Sequence, residues 1–123
     1  MKHKNIKTSL KIATILVGEA IHLGGCSIDN RFNRPVVGYL VATNNNLIFA
    51  NNSKVCIHAI SNWIKKNPIK LNEFYGCWRN PITGEVEVSI SILTLTYFDA
   101  KVLAQKFAQK YVYSLQDNKD LVA

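Results

Sequence analysis

An α+β fold is predicted, an antiparallel sheet of about six or seven strands with two helices packed on it, in a single domain spanning residues 1–123. Three observations lead there. Short β-prone runs are separated by Asn, Gly and Pro clusters, as in antiparallel sheets. The stretch "GCWRNPITGEVEVS", residues 76–89, has the grammar of a hairpin. Finally, just two segments combine three- and four-residue apolar spacing with helix start and stop residues.

Taken in order, Ile6, Leu10, Ile12 and Leu16 alternate with Lys7, Ser9 and Lys11, which predicts a half-buried strand over 6–16. Gly18 ends it, and "EAIHL" is expected to return as a second short strand. Residues 24–35, "GGCSIDNRFNRP", carry turn formers throughout and are expected to be the longest loop. Val36 to Ala42 and Leu47 to Ala50 are apolar runs joined by "TNNN", a predicted hairpin because Asn tolerates left-handed backbone.

A helix follows, with Ser53 as N-cap, Cys56, Ile60, Trp63 and Ile64 as its apolar stripe, and Lys65-Lys66-Asn67-Pro68 as its stop. In "NPITG", Pro81 sets the φ of a tight turn and Gly84 can take positive φ. Strands are therefore expected on both sides, "EFYGCWR" before and Val86, Val88, Ile90 and Ile92 after. The apolar phase then shifts to Leu93, Leu95 and Tyr97, which predicts a bulge or a change of packing partner. Asp99 is the expected cap of the last helix, with Ala100, Val102, Leu103, Ala104, Phe107, Ala108 and Tyr111 inward. "YVYSL" reads as a closing strand. Two helices cover such a sheet incompletely, so self-association as a homo-oligomer is expected.

Net charge is +7, with 15 Lys and Arg against 8 Asp and Glu. That balance favours anionic partners: nucleotides, nucleic acid or an acidic protein surface. Cys26, Cys56 and Cys77 show no CxxC or Cys/His ligand spacing, so neither a disulfide framework nor a metal site is expected, and a reduced host-cell cytoplasm fits. "LGGC" at 23–26 follows a Lys-rich start and imitates a lipoprotein leader, but Glu19 and His22 interrupt the apolar run such a leader requires.

Catalytic groups are poorly represented. Cys56 and His58, two apart on one helix, diverge. Glu85 and Glu87 share one strand face beside a turn as a solvated edge, and "LGGCS" lacks the Lys and spacing of a phosphate loop. No catalytic residue, metal or cofactor is expected, and the protein is read as non-enzymatic. Binding residues are better supported. Arg31 and Arg34 bracket Phe32 in the long loop; Tyr75, Trp78, Arg79 and Asn80 line the hairpin. Guanidinium groups grip phosphate bidentately and flat rings stack on bases. Cys77 is expected to be a small core residue.

The unit from Tyr75 to about Leu115, with Gly76, Trp78, Asn80, Pro81, Thr83 and Gly84, is similar to a module of small phage and bacterial proteins. In size and layout the whole chain resembles small phage anti-defence proteins, and among them the anti-Thoeris sponges. That resemblance implies a homo-oligomer that sequesters a cyclic ADP-ribose-type nucleotide signal without cleaving it. Two other readings stay open: a protein-binding inhibitor of a defence nuclease, of the anti-CRISPR kind, and a basic nucleic-acid-binding module.

Overall fold

A computed structural model describes residues 2–50 and 54–123, with side chains from residue 8 onward. Among the described residues three helices and six strands run in the order α1 (Lys2–Leu23), β1 (Gly25–Ile28), β2 (Tyr39–Phe49), α2 (Ile57–Lys66), β3 (Glu73–Arg79), β4 (Val86–Thr94), α3 (Tyr97–Lys106), β5 (Tyr111–Ser114) and β6 (Lys119–Val122). The strands form one sheet, β1-β3-β4-β2-β5-β6, with every pairing antiparallel. The α+β class holds, with a third helix where two were expected.

That third helix is the amino-terminal segment, which is neither one strand nor two. Its buried residues are Ser9, Ile12, Ala13, Leu16, Val17 and Ala20, a spacing that belongs to a helix stripe. The alternation of Ile and Leu with Lys misled because it ignored the small residues. Ser9, Ala13 and Ala20 are as buried as the large ones, and they let α1 lie close against α2. At that crossing the Ser9 and Ser61 hydroxyls share a hydrogen bond of 3.0 Å. Packing against α2 and the sheet outweighs the modest β preference of Ile, Thr and Val. Gly18 sits inside the helix and interrupts nothing.

Helix α2 ends where Lys65, Lys66 and Asn67 said it would. Its start differs. Ser53 lies outside the described residues, Cys56 occupies the N-cap without a side-chain bond, and Cys56 is exposed rather than part of the stripe. Helix α3 is capped by Thr96, whose hydroxyl accepts from the Asp99 amide at 3.1 Å; Asp99 is in the first turn. Ala100 and Ala104 are its buried residues, Val102 is exposed, and Tyr111 has already entered β5.

The asparagine tract is a bulge and not a hairpin turn. Ala42 pairs with Ser91 and Asn46 with Ser89, so Thr43, Asn44 and Asn45 stand opposite the single residue Ile90. The chain keeps its direction because both halves of β2 have the same partner, β4. Thr43 donates its hydroxyl to the Ile90 carbonyl at 2.8 Å and accepts from the Asn45 amide. Asn45 reaches Asn67 after α2, and Gln109 after α3 reaches Asn44. Strand β4 itself carries no bulge, its register with β3 running unbroken from Ile92 to Val86.

Alternation and register place all three helices on one face. Cys26, Ile28, Tyr75, Cys77, Val86, Val88 and Ile90 pack under α1 and α2. Val41, opposite Ile92 and hence on the same side, packs with Val112 against Ala100 and Ala104 of α3. Along β2 the bulge lies between the two clusters, with Tyr39 and Val41 in the second and Leu47 and Phe49 packed against the first. The Tyr97 hydroxyl donates to the Val122 carbonyl and ties α3 to the last strand. Among the described residues no helix is long and apolar enough to cross a membrane.

Candidate ligand-binding face

The seven residues singled out from the sequence do not converge on one pocket. Tyr75 is interior, 2% exposed, and its hydroxyl donates to the carbonyls of Asn67 (2.7 Å) and Ile64 (3.3 Å). It closes the end of α2, its ring meeting Trp63 edge-on at 6.0 Å. Burial pushes its hydroxyl up to about 12, with Glu73's charge adding. Asn80 is spent within the turn, its side-chain oxygen accepting from the amides of Ile82 and Thr83 at 2.9 and 3.2 Å.

Arg31, Phe32 and Arg34 belong to a loop built by Asp29. That carboxylate accepts from the amides of Arg31 and Asn33, both at 2.8 Å, and from the Asn33 side chain. Phe32 takes positive φ, 65°. Its ring lines an open apolar groove along α1 with Leu10, Lys11, Thr14 and Ile15. Arg34 is held by Glu19 of α1 in a two-pronged pair, Nη1 to Oε1 at 2.6 Å and Nη2 to Oε2. Hydrogen bonding from Arg34 holds the Glu19 carboxyl below its usual range.

A pH dependence follows from this pair. Because Glu19's pKa is lowered in the fold, its stabilisation is present above the ordinary glutamate pKa and fades as pH falls through the folded value. Arg34 is half exposed, so the effect is at most about 1 kcal/mol. Urea denaturation of wild type and Glu19→Gln should differ at neutral pH and converge as pH falls below the ordinary glutamate range. An unchanged difference at acid pH would contradict the assignment.

Trp78 and Arg79, adjacent on β3, leave the strand on opposite faces. Trp78 points to the sheet face that, among the described residues, carries no helix. There the indole crosses the neighbouring strand at Gly25, whose absent side chain matters: a Cβ would stand 2.8 Å from the Cys77 carbonyl and 3.5 Å from the indole Cδ1. The indole remains 50% exposed. Register and alternation extend this face through Ser27, Phe74 and Gly76 to Glu87, Ser89 and Ser91, then to Leu40 and Tyr113. Glu87 is Trp78's direct cross-strand partner, and it accepts from the Asn46 side chain at 2.7 Å.

Beside Trp78 the floor is glycine and serine with a carboxylate next to the ring, whereas Phe74, Leu40 and Ser91 further along are buried. An indole face offers stacking, and serine hydroxyls both donate and accept. A carboxylate accepts from ribose hydroxyls or an exocyclic amine. Sequence reasoning missed Glu87, Ser89, Ser91, Ser27 and Asn46. The alternation of Glu87, Ser89 and Ser91 with Val86, Val88 and Ile90 was visible, but a polar strand face is by default a wet one. Among the described residues, no cluster of three His, Cys, Asp or Glu could hold a metal ion. Compared with family models, curated proteins and solved structures, the chain finds no match.

Proposed function

We propose that the protein is a non-enzymatic binder that sequesters a small anionic nucleotide on the helix-free face of its sheet. The base would stack on Trp78, ribose hydroxyls or an exocyclic amine would meet Glu87 and the serines, and the chain's positive net charge would favour the phosphate. One observation carries the reading: a half-exposed indole set over a glycine on a sheet face left open, in a chain of net charge +7. A base stacked on an aromatic ring gains about 1–3 kcal/mol. Sequestration of a cyclic ADP-ribose-type signal, the use implied by the resemblance to phage anti-defence proteins, asks nothing more of the site than tight holding.

Calorimetric titration with cyclic ADP-ribose isomers, ADP-ribose and AMP tests it. Binding is expected for at least one of them, with the ligand recovered intact and with quenching of indole fluorescence. Trp78→Ala should weaken it about tenfold or more, while Trp78→Phe should retain part. No heat with any of these nucleotides, or undiminished binding by Trp78→Ala, would refute the proposal.

The same face favours a second reading. Trp78 on β3 and Tyr113 and the exposed Tyr111 on β5 lie on it, as rings do on sheets that bind single-stranded nucleic acid. That reading requires affinity for oligonucleotides that falls steeply with salt.

A further inference from the structure

We propose that Cys26 and Cys77 are a redox-responsive pair, which a low-molecular-weight disulfide such as oxidised glutathione converts to a cross-strand disulfide. The inference is independent of any nucleotide ligand. Far apart in sequence, the two residues are direct partners in the β1–β3 register. The Arg79 amide donates to the Gly24 carbonyl at 3.0 Å, so Gly24 and Arg79 are a hydrogen-bonded pair, and the alternation of an antiparallel ladder makes Cys26 and Cys77, two residues further along, another. Such pairs hold their Cα atoms about 5.5 Å apart, within the roughly 4.4–6.8 Å that a disulfide spans. Both side chains project to the same face and pack in the cluster under α1.

Their surroundings separate their roles. Cys26 is half-buried and Cys77 buried, so Cys26 is the sulfur an oxidant meets. Glu19 lies against Cys26, and each sulfur is near enough for Cys77 to influence Cys26 electrostatically. Burial pushes both thiols up to about 12, with the charges of Glu19 and Cys77 adding at Cys26. The reduced pair is therefore a stable resting form that reacts slowly. Cys56, at the exposed start of α2, is outside the pair.

Oxidation proceeds in two exchanges. The Cys26 sulfur, having lost its proton, attacks one sulfur of the small disulfide; a mixed disulfide forms and one small thiol leaves with the proton. The Cys77 sulfur then attacks the Cys26 sulfur of that mixed disulfide, releasing the second small thiol. Two protein hydrogens leave, two small thiols form, and one protein disulfide closes. β1 is a four-residue strand at the sheet edge, paired with β3. The new bond would fasten it, together with the end of α1 and the start of the Arg31–Arg34 loop.

The test uses the full chain and its Cys56→Ser variant, equilibrated with oxidised and reduced glutathione at a secretory-compartment ratio. The expected product is lighter by two hydrogens and yields, on non-reducing digestion, a peptide pair joining Cys26 to Cys77. It should melt several degrees above the reduced form, and reductant should reverse both changes. Persistent glutathione on Cys26, cross-links through Cys56 in the wild type, or thiols still free in Cys56→Ser would each overturn the proposal.

Discussion

Ala13→Asp is expected to remove about 4 kcal/mol or more of stability, whereas Lys11→Asp, two residues earlier, should change stability by no more than about 0.5 kcal/mol. Ala13 is fully buried in the cluster between α1, α2 and the sheet, and Lys11 is exposed. A carboxylate at position 13 would be larger than the space and would lose its water without gaining a partner. The cost is about 4 kcal/mol or more, against a total stability of about 5–15 kcal/mol for a typical domain. Circular dichroism and urea denaturation measure it. A strand with Lys11 and Ala13 on one polar side would predict similar tolerance at both positions. An Ala13→Asp protein no less stable than Lys11→Asp would therefore refute the helical packing of the amino terminus.

The second large effect is expected at Gly38. This residue, just before β2, has φ of 105°, and a Cβ on it would lie 2.5 Å from the Thr94 carbonyl and 3.1 Å from a Leu93 methyl. Nor can the backbone easily shift. The Gly38 amide donates to the Gln116 side chain, and its carbonyl accepts from the Leu115 amide, both at 3.0 Å. Gly38→Ala combines left-handed strain of about 1–3 kcal/mol with a clash against main chain, so a loss of about 3 kcal/mol or more is expected. Gly18→Ala is the counterpart. Gly18 is helical with nothing within 4 Å of its missing side chain. Alanine there should stabilise by about 0.5–1 kcal/mol. Thermal melts of the two variants should move in opposite directions; equal shifts would contradict the local geometry at one of them.

The residues singled out as a candidate site show how far a sequence reaches. Arg31, Phe32 and Trp78 are exposed, as their loop and hairpin positions implied. Arg34 and Tyr75 looked equally available, yet one is clasped by Glu19 and the other closes a helix from inside. Neither partner is near in sequence, so no local pattern could have revealed the engagement.

Local chemistry was enough for some elements. Asn80, Pro81 and Gly84 dictate the β3–β4 turn, and Lys65 to Pro68 stop α2, because capping and turn preferences act over a few residues. The alternating Val86, Val88 and Ile90 marked the strand face that is buried. Tertiary packing decided the remainder. Ser9 and Ala13 became helix because α2 lay close enough to reward small side chains. The asparagine tract became a bulge because one strand, β4, paired with both its flanks. Cys26 came opposite Cys77 through a register set by residues far from both. Which sheet face stays free of helices, and with it where the Trp78 indole is exposed, depends on where three helices settle. That is a competition among long-range contacts, whose sum no short window of sequence contains.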